Sequence, residues 1–269
     1  MEVLNKLRLS TAAIGFFDSG VGGTSVWTEV IHLLPHENTI YLADSKNAPY
    51  GIRSKDEIIS LSVKNTDYLI SQGCKLIAVP CNTATTNAID YLRSHYDIPF
   101  IGIEPAIKPA ALQSDTKKIG ILATKGTLSS QLFKTTQERF TQDIDTIEVV
   151  GTGIVELIES GKTNSLEMRH LLKRIVEPLL ISNIDYLVLG CSHYPYIKHL
   201  LKEMLPNNVK IIDSGTAVAR QTLAILQEHQ LLNESSELGQ HRLYSNADLT
   251  VLKDIVGMDE YRQVAYLDF

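Results

Sequence analysis

The sequence predicts an α/β protein of two pseudo-symmetric lobes, each with a mostly parallel sheet flanked by helices, and with an active site in the cleft between them. Two observations carry the expectation. Short runs rich in Ile, Val and Leu alternate with stretches of helical apolar spacing along almost the whole chain, as strands covered on both faces by crossover helices require. One phrase also occurs twice: Leu76-Ile77-Ala78-Val79-Pro80-Cys81-Asn82-Thr83-Ala84 and Asp185-Tyr186-Leu187-Val188-Leu189-Gly190-Cys191-Ser192-His193-Tyr194-Pro195 are both apolar runs that end abruptly in a cysteine and small polar residues. Each follows an earlier strand-like run, Ile14-Gly15-Phe16-Phe17-Asp18-Ser19-Gly20 and Ile119-Gly120-Ile121-Leu122-Ala123-Thr124, at a similar distance. An internally duplicated α/β unit that presents one cysteine per copy explains both.

Taken in order, Ile14 to Phe17 is a strand, and Val26, Val30, Ile31 and Leu34 share one face of a helix. Thr39 to Ala43 is the next strand. The loop from Asp44 to Gly51 follows, and its Pro49 and Gly51 exclude a helix. It is longer than a simple connection, and long loops at strand ends tend to hold ligands. Ser54 and Glu57 form a capping box for a helix that runs to about Ser71 and stops at Gly73. After the Cys81 strand comes a helix capped by Asn82 or Thr83, then a short strand from Ile98 to Ile103, with a domain crossing at Glu104-Pro105.

The second half repeats the pattern, with strands near Lys118 to Ala123, Thr146 to Val150, Tyr186 to Leu189 and Val209 to Ile212. Helices are expected over Leu128 to Phe140, Ile154 to Ser160, Ser165 to Ile181 with an interruption at Pro178, and Ser214 to about Leu231. Asn164 with Glu167 is the expected cap of the third. A polar loop at Asn233-Glu234-Ser235-Ser236 leads to a final segment of short strand and helix.

Composition narrows the function. The chain has 269 residues, 44% hydrophobic and 21% charged, enough for a substantial core. A net charge of −6 gives no basic excess, so neither nucleic acid nor an anionic membrane is an expected partner. A small anionic ligand remains compatible, because backbone N–H groups bind anions without basic side chains. No apolar run approaches the roughly 18 to 20 residues of a membrane span. Met1 to Thr11 lacks the apolar core of a signal peptide, which leads to a cytoplasmic expectation. Three cysteines, Cys74, Cys81 and Cys191, are too few for a disulfide framework.

Gly20-Val21-Gly22-Gly23 follows a strand, yet Ser25 stands where a dinucleotide fingerprint needs its third glycine. Gly161-Lys162-Thr163 resembles the end of a phosphate-binding loop, but Glu156 occupies the place of the first glycine. A zinc site from Cys81, Cys191, His193 and His199 lacks any closely paired ligands, so no metal is expected. What remains is the cysteine pair. A nucleophilic hydrolase uses one thiolate with a histidine and would leave a second thiol idle. Two-base proton exchange at one carbon needs an acid/base group on each face, and duplicated lobes supply that. Thiols serve as base or acid when a helix end, a histidine or a carboxylate tunes them. Asp18 and His193, each at a strand end, are the candidates to do so.

In their order and spacing, Phe17-Asp18-Ser19-Gly20-Val21-Gly22-Gly23, Asp44, Pro49-Tyr50-Gly51, Pro80-Cys81-Asn82-Thr83-Ala84, Ile103-Glu104-Pro105-Ala106, Ala123-Thr124-Lys125-Gly126-Thr127 and Gly190-Cys191-Ser192-His193-Tyr194-Pro195 closely resemble the glutamate racemases of the aspartate/glutamate racemase superfamily. His193 after Cys191-Ser192 favours glutamate over aspartate racemases, whose second motif typically carries glutamate there.

The resemblance implies a cofactor-independent amino-acid racemase that supplies D-glutamate for peptidoglycan. It implies that Cys81 removes the α-proton of D-glutamate and Cys191 that of L-glutamate, assisted by Asp18 and His193 respectively. Substrate binding falls to Asp18, Ser19, Tyr50, Gly51, Asn82, Thr83, Thr124, Ser192 and His193, with Asp44 and Glu159 in supporting roles. It also implies a first lobe of residues 1–105 and 214–269 on the Cys81 side, a second of residues 106–213 on the Cys191 side, and a homodimer. Ser192 stands where threonine is usual, and Thr152-Gly153 where many relatives have Cys-Pro. The rivals are a racemase of aspartate or another acidic amino acid, and an idle relative that binds acidic amino acids or a protein; a pure binder has no need of two titratable thiols.

Overall fold

Chain order dictates where ligands collect. The structure is a computed structural model that describes residues 10–269; most of the N-terminal stretch tested for a signal peptide lies outside them. Strands β1 (Ile14–Asp18), β2 (Thr39–Ala43), β3 (Leu76–Val79) and β4 (Phe100–Gly102) form a parallel sheet in the order β2-β1-β3-β4. Strands β5 (Lys118–Ala123), β6 (Asp145–Val150), β7 (Tyr186–Gly190) and β8 (Lys210–Ile212) form a second, also parallel, in the order β6-β5-β7-β8. The two orders are the same, as a duplicated unit requires. Strands β9 (His241–Ser245) and β10 (Arg262–Tyr266) return to the first sheet and extend it beyond β2.

In each sheet the winding reverses beside the first strand, between β1 and β3 and between β5 and β7. The crevice at the carboxyl ends of such a pair is where open α/β sheets bind ligands. Asp18 ends β1 and Cys81 follows β3; Thr124 follows β5 and Cys191 follows β7. The two chain crossings lie side by side, with Ser214 Oγ donating to the carbonyl of Glu104 at 2.5 Å.

Helices α1 (Thr24–Leu33), α2 (Lys55–Ser71) and α3 (Asn82–His95) belong to the first half. The second carries α4 (Ile107–Gln113), α5 (Lys125–Leu128), α6 (Gln131–Phe140), α7 (Ile154–Glu159), α8 (Leu166–Ile181) and α9 (Lys198–Met204), followed by α10 (Gly215–Glu228) and α11 (Thr250–Val256). One apolar cluster runs from Phe16, Trp27 and Tyr41 to Leu122, Leu189 and Tyr194, so the same core holds both sheets. Among the described residues no helix is long and apolar enough to cross a membrane.

The Ser54–Glu57 capping box forms as expected, and Gly73 closes α2 with φ 75°. Other details differ. The helix expected over Leu128 to Phe140 is two, because Thr124 and Ser130 each cap a new start by accepting from the third N–H beyond. The cap of α8 is Ser165, which accepts from the Met168 N–H, while Asn164 bonds to His199. Pro178 lies inside α8 without ending it; near the C-terminus its ring removes one internal hydrogen bond but interrupts no following turn. Helix α10 stops at Glu228, where Gln230 takes φ 55° and the Leu231 N–H turns back to the carbonyl of Leu226. The Asp44 to Gly51 loop contains two short 3-10 turns, Ser45–Asn47 and Tyr50–Ile52.

Candidate active site

At the end of β1, Asp18 is fully buried, and its carboxylate is met from both halves of the chain. Ser19 Oγ and the Gly20 N–H donate to Oδ1 at 3.1 and 2.9 Å, and Ser192 Oγ donates to Oδ2 at 2.7 Å. Burial raises its pKa above the usual carboxylate range, against the opposing pull of the His193 charge and these hydrogen bonds.

Cys81 leaves β3 and itself caps α3: its Sγ accepts from the Ala84 N–H at 3.4 Å, displacing Asn82 and Thr83 from the capping role the sequence suggests. Asn82 and Thr83 are thereby free to face the cleft. Burial first, and the nearby Asp18 charge second, push the Cys81 thiol up, while the N–H groups of Ala84 and Ser19 pull it down. The balance favours the protonated thiol.

Cys191 leaves β7 with His193 two residues on, and Sγ lies 3.8 Å from His193 Nδ1. The other ring nitrogen, Nε2, is 2.6 Å from Glu159 Oε1. Glu159, at the end of α7, is held in turn by the Val21 N–H at 2.7 Å and by Ser45 Oγ at 2.8 Å. The result is a carboxylate–imidazole–thiol chain, the arrangement by which an oriented base activates a neighbour. Burial alone would lower the His193 pKa, but its bonds to Cys191 and Glu159 prevail and raise it well above the ordinary 6.5. The imidazolium then donates at both nitrogens, and the Gly22 N–H, 3.2 Å from Nε2, is a secondary neighbour.

The glycine run that fails as a dinucleotide fingerprint has another use. A Cβ on Gly20 would fall 1.9 Å from Glu159 Oε1, and one on Gly22 would fall 2.1 Å from His193 Nδ1. These glycines leave room for the chain that serves Cys191. Gly22→Ala is expected to displace the buried imidazole and lower kcat/KM by about 10²-fold, the order of cost of a small misplacement at a reacting centre, and to lower the thermal midpoint as well, because the ring must leave the bonds that hold it. A steady-state assay paired with a melting curve checks this.

Both cysteines line one small, nearly closed pocket, together with Ser19, Tyr50, Gly51, Asn82, Thr83, Thr124, Ser192 and His193. Asn82 is buried, yet neither atom of its carboxamide has a hydrogen-bond partner among the described residues. Buried polar groups are seldom left so, and a ligand with donors and acceptors would satisfy them. Thr83 and Thr124 meet across the cleft at 2.9 Å, and Thr127 joins them.

Asp18, Asp44 and Glu159 stand behind the lining. Asp44 accepts from the Tyr50 hydroxyl at 2.5 Å and so fixes a lining ring, as Glu159 fixes His193. Val155 also lines the pocket without having been expected; it lies one turn before Glu159 on α7, and that spacing is the signal that would have found it. Pro49 joins it from the loop. His199, considered for zinc, is exposed and bonds to Asn164 at 2.7 Å, away from the cysteines.

Two like-ordered parallel sheets, each offering a cysteine at its switch point to a shared pocket, characterise an amino-acid racemase, and the chain belongs to the Asp/Glu/Hydantoin racemase family, whose model matches residues 24–222. The relatives narrow the class. A curated glutamate racemase of Herpetosiphon aurantiacus is 44% identical over 235 residues, covering 87% of this chain and 92% of the relative. The crystal structure of Escherichia coli glutamate racemase in complex with L-glutamate and the activator UDP-MurNAc-Ala superposes with a TM-score of 0.81 at 33% identity, covering 91% of this chain and 93% of that one. A glutamate racemase from Francisella tularensis in complex with D-glutamate gives a TM-score of 0.82 at 26% identity, covering 96% and 98%.

Proposed function

We propose that this chain is a glutamate racemase that interconverts L- and D-glutamate by two-base α-proton transfer between Cys81 and Cys191, with no cofactor, and so supplies D-glutamate for peptidoglycan. The observation that carries the reading is the placement of both thiols, one from each switch point, on the same pocket as the unpartnered Asn82 carboxamide. In this reading Cys81 removes the α-proton of D-glutamate while Cys191 delivers one to the opposite face, and the roles reverse for L-glutamate.

The α-ammonium of the substrate brings a positive charge beside the Cys81 thiol that burial otherwise keeps protonated, which favours its thiolate once substrate is bound. His193 can return a proton to Cys191 and hold its thiolate, while Asp18 stands beside Cys81. The carbanion has no electron sink in the chain, so the site must keep the α-amine protonated and meet the carboxylates with fixed donors. Ser19, Asn82, Thr83, Thr124 and Ser192 supply hydroxyl, amide and N–H groups for that purpose. Asp44 and Glu159 support Tyr50 and His193.

The lobes we assign are residues 1–105 with 214–269, and residues 106–213; the Ser214–Glu104 bond at the paired crossings supports them. A cytoplasmic homodimer is the assembly we propose, and analytical ultracentrifugation of the purified protein measures it.

The decisive experiment is circular dichroism of L-glutamate and, separately, D-glutamate incubated in deuterium oxide with the reduced protein. Both enantiomers should converge to zero ellipticity with deuterium at the α-carbon. No signal change and no deuterium uptake would remove glutamate as substrate, and turnover of aspartate under the same conditions would reassign the specificity.

A further inference from the structure

The pocket loop from Asp44 to Ile52 is held from outside by the C-terminal part of the chain. The register of β9 on β2 pairs Ser245 with Ala43, which sets the next residue, Asn246, beside Asp44 at the carboxyl edge of the sheet. Asn246 is buried, and both ends of its carboxamide are used. Nδ2 donates to Asp44 Oδ1 at 2.5 Å, and Oδ1 accepts from the Lys46 N–H at 2.9 Å. One side chain, 202 residues away from Asp44 in sequence, thus fastens the start of the loop at two points.

The fastened segment serves both halves of the site. Its Ser45 hydroxyl holds Glu159, and hence His193, while the Asp44 carboxylate orients Tyr50, whose hydroxyl also accepts from Asn65 Nδ2 at 3.2 Å. Tyr50 and Gly51 line the pocket. The neighbouring chain end reinforces the attachment. Lys46 Nζ is 3.5 Å from Asp268, and Lys64, 3.5 Å from Asp44, lies over the ring of Phe269.

We propose that Asn246 is a positioning residue for the substrate, acting through Asp44 and the Lys46 backbone to hold Tyr50 and Gly51 where the ligand needs them. The inference rests on the glutamate reading above. Glu159 keeps its bonds to Val21 and His193 whether or not Ser45 is well placed, and neither cysteine lies on the loop. The effect of loosening it therefore falls on binding more than on the chemical step.

Steady-state kinetics of Asn246→Ala and Asn246→Asp in both directions, beside the native protein and with melting curves, test the proposal. Asn246→Ala should raise KM for both enantiomers about tenfold, a loss of about 1.4 kcal/mol, with kcat within about twofold of native, the pattern of lost uniform binding. Asn246→Asp fills the same space but sets a carboxylate against Asp44, so it should be more impaired than the alanine variant. A proton shared between those two carboxylates would restore the donor. The ratio of its kcat/KM to that of the native protein should therefore rise as pH falls, in surroundings that also include the Tyr50 hydroxyl, Lys64 and, on the far side, Lys46 with Asp268.

Unchanged KM in folded Asn246→Ala, or an aspartate variant that behaves as native, would overturn the proposal while leaving the racemase reading intact. Failure of the native protein to turn over glutamate would overturn both. If the alanine variant does not fold, Asn246→Ser, whose side chain is too short to span Asp44 and the Lys46 N–H, must show the same division between KM and kcat.

Discussion

Replacing either Cys81 or Cys191 with serine is expected to abolish racemisation in both directions, by about 10²- to 10⁴-fold or more, the range attached to a single general acid or base. A hydroxyl is too weak an acid to stand in for a thiolate at neutral pH, and each enantiomer needs one thiol as base and the other as acid. Loss of one residue therefore stops both reactions. What survives is exchange without inversion. With Cys191→Ser, Cys81 can still take the α-proton of D-glutamate and return a deuteron to the same face, so deuterium should enter D-glutamate slowly while its ellipticity persists.

Cys81→Ser should give the mirror result with L-glutamate. Folding is not at risk in that variant, since Cys81 caps α3 and serine is among the preferred capping residues. Mass spectrometry of the recovered amino acid, with polarimetric detection alongside, reads both quantities. A variant that still inverts configuration at near-native rate would show that one thiol suffices, and the two-base mechanism would fall.

Local signals made the cysteines legible. Each follows a strand buried along its whole length, and such strands appear as short unbroken apolar runs. The Ser54–Glu57 capping box was equally plain, because both of its halves lie within one turn. The choice between Asn164 and Ser165 as a cap was not, since either side chain can accept and the outcome depends on the backbone angle at one residue. Residues that act at a distance left no local trace. Glu159 reaches His193 across 34 residues and Asn246 reaches Asp44 across 202. Glu159 was accessible only through resemblance to known racemases, and Asn246 not at all, because the register of β9 on β2 decides its place. The glycines at positions 20 and 22 were visible without their reason, which is a pair of side chains, Glu159 and His193, from the second half of the chain.

His193→Asn is expected to lower kcat/KM by about 10²-fold or more, the contribution typical of an assisting acid or base. Enantiomers have equal free energies, so the equilibrium constant is unity and kcat/KM must fall equally in the two directions. Asymmetry can appear only in the separate steps. Because His193 touches the Cys191 thiol, proton exchange out of L-glutamate should slow more than exchange out of D-glutamate.

The same substitution has a signature in stability. The bonds from Glu159 and Cys191 outweigh burial and raise the folded pKa of His193 well above 6.5, so the folded protein holds a proton that the unfolded chain releases near that value. The resulting stabilisation is fully present below pH 6.5 and is lost as pH rises through the higher folded value. Urea denaturation of both proteins should therefore show a larger advantage for the native protein at about pH 6 than at about pH 10. An advantage that grew with pH would mean that the buried imidazole is neutral in the fold and donates its one N–H to a charged Glu159.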